Sequence, residues 1–404
     1  MNILVVNVQL PWPVEDGNAL RVLELARHLP SGYRCQLAYF PHRGEHRDAL
    51  ADLGVFDRLH ALPAAPDGNS WRRWFRLSDR DYYRRAKPEY LRRVTRQLQE
   101  IVETERIDVA VAMLAPCEEF TRSLRGVRRV VDQYDCLTLA RERELVFRYA
   151  SLSIRERLAA RLRIAMARRT EEDLAARSDL VTSISPADVA RLQELNRRGA
   201  PIELVPNGVD ARLVGRPLGD LPRCRGVAFW GNLSFPVNIQ AIEYFYSQVW
   251  LPHLEPLGVR WAIVGPHPGA AILALASQHS LIEVPGYVSD LFGYLDRYPL
   301  MVNPMVTGSG LKNKALEAFA VGLAVVSTPI GVDAFPVHDG IHCRIEARPE
   351  RFAAAVLELL DQPESRRAMI ERARALVRAD YTWEAVASRW ARSLSKSGGV
   401  QNRK

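Results

Sequence analysis

The sequence predicts an α/β protein made of two doubly wound, parallel-sheet domains, and three observations carry that expectation. Short apolar runs alternate with helical stretches along almost the whole chain, the order that places helices on both faces of a parallel sheet. The alternation starts again after residue 210, so there are two series. A length of 404 residues, with 48% hydrophobic and 25% charged residues, fits two or three ordinary globular domains at about 150 residues each.

The first series opens at once, because Ile3, Leu4, Val5, Val6 and Val8 suit a buried strand. Further strand-like runs fall at 35–40, 108–113, 129–132, 179–184 and 202–205, with helices expected over 18–29, 90–105 and 186–198. Between Val127 and Ser185 there is neither Gly nor Pro, and Ile154, Leu158, Leu162 and Met166 recur every four residues, so 138–177 should hold one or two long helices. The second series has strand runs at 226–230, 260–264, 299–303, 323–326 and 341–345. Its helices are expected near 236–250, 271–278, 311–321, 349–360 and 364–378. The seam is placed at Val205-Pro206-Asn207-Gly208-Val209-Asp210, where Asn-Gly after a strand suggests a tight turn with positive φ. The domains expected are therefore 1–205 and 206–380, and the polar run from Ser393 to Lys404 is expected to fray, with 397–404 as a flexible tail.

Composition excludes several classes. No stretch reaches the roughly 20 apolar residues that span a bilayer, and the nearest, 318–332, is broken by Gly322, Pro329 and Gly331. The N-terminus lacks a basic leader region and a small-residue cleavage pattern, so a cytoplasmic protein is expected. Cys35, Cys117, Cys136, Cys224 and Cys343 are odd in number and widely spaced, which reads as reduced structural thiols and draws neither a zinc site nor a disulfide framework. The net charge of +8 favours polyanionic partners without choosing among them.

Four places carry residues suited to chemistry. Gly308-Ser309-Gly310-Leu311-Lys312-Asn313-Lys314-Ala315-Leu316-Glu317 follows a strand and opens a helix, so unpaired amides, the positive end of the helix dipole and two lysines outline an anion site. Asn313, Lys314 and Glu317 share one face of that helix, which suits a nucleotide with Glu317 accepting from ribose hydroxyls. The competing reading is a strand terminated by glycines with solvated lysines. Gly17 and Asn18 stand where the first strand hands over to a helix, with Arg21 one turn further; they serve either a ligand at the sheet's carboxyl edge or a turn and a helix cap. Asp132 and Asp135 end another strand, where a carboxylate acts as a general base, positions an acceptor hydroxyl, or caps a helix. Segment 71–98 holds ten Arg or Lys against Asp79, Asp81 and Glu89, interleaved with six aromatics. It suits an anionic lipid surface, single-stranded nucleic acid, or a solvated helical face over buried aromatics. The dinucleotide, P-loop, HExxH, GxSxG and EF-hand spacings are all missing, which argues against the corresponding classes.

With these residues in view, the chain resembles the bacterial glycosyltransferase family 4 enzymes of the surface-polysaccharide type, which have the GT-B fold. The strongest part of the resemblance is GSGLKNKALEAFAVGLAVVSTPIG at 308–331, similar to the family's donor-binding stretch. LVPNGVD at 204–210 resembles the interdomain strand, SPADVARL at 185–192 the helix before it, Leu10-Pro11-Trp12-Pro13 with Gly17 the opening loop, and YTWEAVASRW at 381–390 the final helix. The resemblance implies two Rossmann-like domains facing a cleft, with a C-terminal helix over 381–396 that crosses back to the first. It also implies a hexosyltransferase-type enzyme that moves a sugar from a nucleoside diphosphate sugar to a glycan or lipid-linked acceptor, retaining and without a metal or other cofactor.

On this resemblance Lys314 neutralises the diphosphate, Glu317 holds the ribose, and Gly308, Ser309, Gly310, Leu311 and Lys312 meet sugar and phosphates. Gly231 and Asn232 belong to the donor side, while Gly17 leaves room for the donor. Asp135 is the first-domain candidate for catalysis, and Asn18, Arg21 and Asp132 belong to the acceptor side. Peripheral contact with the inner face of an anionic membrane through 71–98 is expected, and no nucleic acid. Two departures stand out: Ser309 occupies the place of a usual acidic residue, and Trp230-Gly231-Asn232 replaces a Gly-Arg. They motivate an alternative, a catalytically weakened GT-B relative that binds nucleotide or glycan as a partner in an assembly complex.

Overall fold

The computed structural model describes residues 1–14, 16–41, 46–64, 81–218 and 224–396. The chain forms two compact units. The first comprises residues 1–145, 151–207 and the C-terminal segment from Trp383; the second comprises 146–150 and 208–382.

The first unit is built on seven strands: β1 (Asn2–Asn7), β2 (Arg34–Tyr39), β3 (Arg58–Ala61), β4 (Val109–Met113), β5 (Arg128–Asp132), β6 (Leu180–Ser183) and β7 (Ile202–Leu204). They pair in parallel in the order β3-β2-β1-β4-β5-β6-β7. Central strands such as β4, Val-Ala-Val-Ala-Met, are apolar throughout because helices cover both faces. On one face the helices Gly17–Arg27 and Trp383–Ser395 enclose Val22, Leu23, Trp383 and Trp390. On the other, helix Pro88–Thr104 buries Val94, Leu98 and Ile101 beside Phe120.

The second unit carries β8 (Gly226–Trp230), β9 (Arg260–Val264), β10 (Ile282–Gly286), β11 (Leu300–Asn303), β12 (Ala324–Ser327) and β13 (Arg344–Ile345). Their order is β10-β9-β8-β11-β12-β13, again parallel throughout. Phe245, Trp250, Trp261 and Phe352 form its aromatic centre. Helix Pro236–Tyr244 widens into a π-helical stretch over Phe245–Leu254, which accommodates Pro252 where a regular helix would bring its ring against a carbonyl one turn back. The fold class expected from the sequence is the one observed.

Three local expectations are corrected. Strands β3 and β10 are additional to the apolar runs read from the sequence: both lie at sheet edges, where Arg58, His60, Glu283 and Pro285 are tolerated. Residues 205–208 make no turn; Val209 instead pairs with Thr382, and Asn207 is buried. Ser393 is helical and 4% exposed, its hydroxyl donating to Glu203 at 2.6 Å, so fraying does not begin there; residues 397–404 lie outside the described residues. The 138–177 region holds two long helices, as expected, Leu137–Arg148 and Ile154–Glu171, followed by the short Leu174–Arg177, and Ile154, Leu158 and Leu162 face outward.

The five cysteines are free, and Cys35, Cys117, Cys136 and Cys343 are buried. Burial pushes the Cys117 thiol up to about 12, in line with a structural role. Among the described residues no helix is long and apolar enough to cross a membrane.

Candidate donor-binding site

In an open α/β sheet, ligands gather at the carboxyl ends of the strands where the strand order reverses, because the loops there diverge and leave a crevice. In the second unit this point lies between β8 and β11. The loop that leaves β8 begins with Gly231 and Asn232, and the loop that leaves β11 runs through Gly308–Lys312 into helix Asn313–Val321. The topology therefore brings together the donor-side candidates of the second unit, which are up to 86 residues apart in sequence; Gly17, the remaining one, belongs to the first unit.

Close packing of two strand ends dictates the glycines. Gly231 has φ +150, and a Cβ there would lie 2.9 Å from Asn238 Nδ2 and 3.2 Å from Lys314 Nζ. Gly265, also at φ +150, would place a Cβ 1.8 Å from the Gly231 carbonyl oxygen. Gly265→Ala is expected to destabilise the protein by at least about 2 kcal/mol, since both the backbone conformation and the contact oppose it. Urea unfolding checks this, and an unchanged midpoint would mean that the two strand ends do not abut.

The loop after β11 is braced from within. Asn303, fully buried, donates to the Gly331 carbonyl at 2.8 Å, and Thr328 Oγ1 donates to the Met305 carbonyl at 2.5 Å. Gly308 and Gly310 take the left-handed region at φ +92 and +71. Lys312 is 9% exposed and donates to the carbonyls of Ser309 (2.6 Å) and Gly310 (3.1 Å). Its ammonium thus holds the loop closed, a bracing role added to the phosphate role expected of it. Leu311 is buried, and helix Asn313–Val321 starts with no side-chain cap on its first turn. Its leading amides keep the character of an anion site.

Lys314 and Glu317 lie on one face of this helix and are held by partners absent from the sequence reading. Lys314 Nζ donates to Asn238 Oδ1 at 2.5 Å and sits 4.1 Å over the Phe229 ring. Asn238 in turn donates to the Asn232 carbonyl at 2.8 Å. Burial, aided by the charge of Lys312 and opposed by Glu317, lowers the Lys314 ammonium to about 7. Glu317 accepts from Trp230 Nε1 at 2.8 Å; burial raises its carboxyl above the ordinary range, while Trp230 and Lys314 act against the rise. Asn232 spends its own side chain on the turn, accepting from the Ser234 amide and hydroxyl at 3.0 and 2.7 Å. A polar residue one helical turn before Ile242 was the available signal for Asn238; Trp230 at a strand end was the signal for the Glu317 partner.

The first-unit candidates part company. Arg21 and Asp132, read as acceptor-side residues, are instead a buried pair, 1% and 0% exposed, joined by Nη2 to Oδ2 at 2.9 Å and by Nε to both oxygens at 3.2 Å. Arg21 Nη1 completes its set on the Pro206 carbonyl (3.0 Å) and Asn207 Oδ1 (2.9 Å), so it ties three segments of this unit together. The helix cap is Asp16, accepting from the Ala19 amide at 2.8 Å, while Asn18 is buried and donates to Asn7 Oδ1 at 3.1 Å. Gly17 faces open space, where a Cβ would meet nothing within 4 Å. Asp135 is half-buried in the loop after β5; its carbonyl accepts from Gln133 at 2.9 Å. Glu171 organises that loop from below, accepting from the amides of Leu137 (2.6 Å) and Thr138 (3.0 Å).

For segment 71–98, residues 71–80 lie outside the described residues. From 81 onward Tyr83 and Tyr90 pack with Phe120, the Tyr90 hydroxyl donates to the Pro63 carbonyl at 2.9 Å, and Arg92, Arg93 and Arg96 are exposed. In the described part of the segment, exposed arginines therefore lie on a helix whose aromatic side packs inward. Among the described residues no three His, Cys, Asp or Glu side chains gather into a metal-binding group.

Comparison with known proteins places this geometry. Residues 224–362 match the family model described as Glycosyl transferases group 1. No curated protein matches the sequence. Among solved structures, HepE of Anabaena in complex with UDP superposes with a TM-score of 0.67 at 14% identity, covering 98% of this chain and 100% of its own. Sucrose-phosphate synthase of Thermosynechococcus elongatus gives 0.68 at 19% identity over 97% and 98%. TarM of S. aureus gives 0.68 at 9% identity over 98% of this chain and 99% of its own. The fold is GT-B: two Rossmann-like parallel-sheet units of seven and six strands.

Proposed function

We propose that this chain is a glycosyltransferase that moves a hexose from a nucleoside diphosphate sugar to a glycan or lipid-linked acceptor in surface-polysaccharide assembly, with retention and without a metal. One observation carries the reading: an uncapped helix start, Lys314 and Glu317 converge at the strand-order reversal of the second sheet. The matched family model supports it, as does the binding of UDP and UDP-glucose by HepE.

In this reaction the bond between the anomeric carbon and the diphosphate oxygen breaks, its electron pair leaving with the diphosphate. The acceptor oxygen bonds to that carbon and gives up its proton. The leaving diphosphate is stabilised by the leading amides of helix Asn313–Val321 and by Lys314, charge that is fixed in place before the reaction. Glu317, oriented by Trp230, takes the ribose hydroxyls. Asp135 is the residue proposed to position the acceptor hydroxyl.

A thermal-shift panel of UDP, GDP, ADP and their sugar conjugates tests the site. One nucleotide family should raise the melting temperature of the wild type, because a ligand that binds only the folded state stabilises it by mass action. The shift should vanish in Glu317→Ala. No shift with any ligand would remove the donor assignment. Ser309, in the place of a usual acid, favours the second reading of a weakened binding partner; a nucleotide shift without sugar transfer would select it.

A further inference from the structure

The Lys314 ammonium is held by a chain of polar groups that begins on the backbone. Asn238, 6% exposed in the first turn of helix Pro236–Tyr244, donates its Nδ2 to the Asn232 carbonyl at 2.8 Å. That bond fixes which way the amide faces, because a carbonyl needs an N–H, and Oδ1 is the atom left to accept from Lys314 Nζ at 2.5 Å. The Asn232 turn is itself pinned by Ser234. Gly231 leaves the room the pair needs, since a Cβ there would lie 2.9 Å from Asn238 Nδ2 and 3.2 Å from Lys314 Nζ. The ammonium also meets the Phe229 ring at 4.1 Å and Met305 Sδ at 3.9 Å, and the charged groups that act on it are Lys312 and Glu317. Lys312 directs its own ammonium to the Ser309 and Gly310 carbonyls. The oxygen that holds Lys314 thus belongs to a neutral amide.

We propose, on the reading of this place as a donor site, that Asn238 is its positioning residue: the side-chain amide anchors the Lys314 ammonium at the strand-order reversal and leaves its charge uncancelled for the donor's diphosphate. The choice of acceptor group decides this. A carboxylate in the same place would hold the lysine as firmly, yet it would cancel the charge and repel the phosphate oxygens. An apolar side chain would leave a buried ammonium without an oxygen, and such a group gives up its proton. The amide does neither. A neutral amine still donates to Oδ1, so the nitrogen keeps its place with or without its third proton and takes up charge when a diphosphate arrives.

Calorimetric titration of the full chain with UDP, GDP and ADP, from about pH 6 to about pH 9, tests this in Asn238→Asp and Asn238→Leu. For the nucleotide that binds wild type, affinity near neutral pH should fall about tenfold or more in both variants, with opposite pH behaviour. In Asn238→Asp the carboxylate keeps the lysine charged, so the weakening expected of wild type above about pH 7 should vanish. In Asn238→Leu the proton is lost more easily, so affinity should recover as pH falls towards about 6. In a Lys314→Ala background Asn238→Leu should change affinity by less than about twofold, because its effect runs through the lysine. Wild-type affinity and pH slope in both variants would overturn the proposal and leave the donor-site reading standing. An equal loss at every pH that persists in the Lys314→Ala background would also overturn it, as the mark of a residue that only supports the fold. Binding of none of the three nucleotides by wild type would remove the donor-site reading and the role of Asn238 together.

Discussion

Lys314→Ala is expected to lower sugar transfer at least about tenfold while leaving the protein folded, because it removes an ionic donor from the proposed diphosphate site. The structure adds a pH signature. Burial, with the charge of Lys312, holds the Lys314 ammonium near 7 against the opposing pull of Glu317, and Asn238 Oδ1 accepts its hydrogen bond. A bound diphosphate favours the charged form, so donor binding above about pH 7 takes up a proton. Donor affinity should therefore weaken as pH rises from 7 towards the ordinary lysine range in wild type, and this slope should disappear in Lys314→Ala. The stability sign is opposite. Between about 7 and 10.5 the unfolded chain holds the Lys314 proton and the unliganded folded chain does not, so this group makes stability rise with pH across that window. Calorimetry of nucleotide binding in buffers of different ionisation enthalpy measures the proton uptake directly. A variant with unchanged turnover and an unchanged slope would show that the phosphate charge rests elsewhere.

Asp132→Ala costs about 3–5 kcal/mol of folding stability, the largest effect expected outside the donor site. It strands the Arg21 guanidinium, 1% exposed, with only the Pro206 carbonyl and Asn207 Oδ1 as partners. The double variant Arg21→Met/Asp132→Leu should recover most of that loss, since two apolar side chains of similar volume leave no uncompensated charge. Urea unfolding of the three variants checks both statements. A loss below about 1 kcal/mol in Asp132→Ala would mean that Arg21 is hydrated and available to a ligand, restoring its acceptor-side reading.

The apolar strand runs were legible because the central strands are buried on both faces, so Leu4–Val6, Val109–Met113 and Val227–Trp230 carry hydrophobic side chains without alternation. The edges β3 and β10 were not, since a strand covered on one side needs no such run. Likewise the Ile154 stripe marked a helix without saying what its apolar face meets: spacing records that residues share a face, and only the packing around them decides the rest.

The same division holds at the site. The sequence by itself determined that a glycine loop opens a helix bearing Lys314 and Glu317, because the loop, the helix start and the three-residue spacing are all local. The tertiary structure alone decided what each polar group does. Lys314 meets Asn238 across 76 residues of chain, Glu317 meets Trp230 across 87, and Asp132 meets Arg21 across 111. Whether a buried carboxylate is a reagent or a brace depends on which charge the fold brings within about 3 Å of it, and no local periodicity encodes a partner that distant.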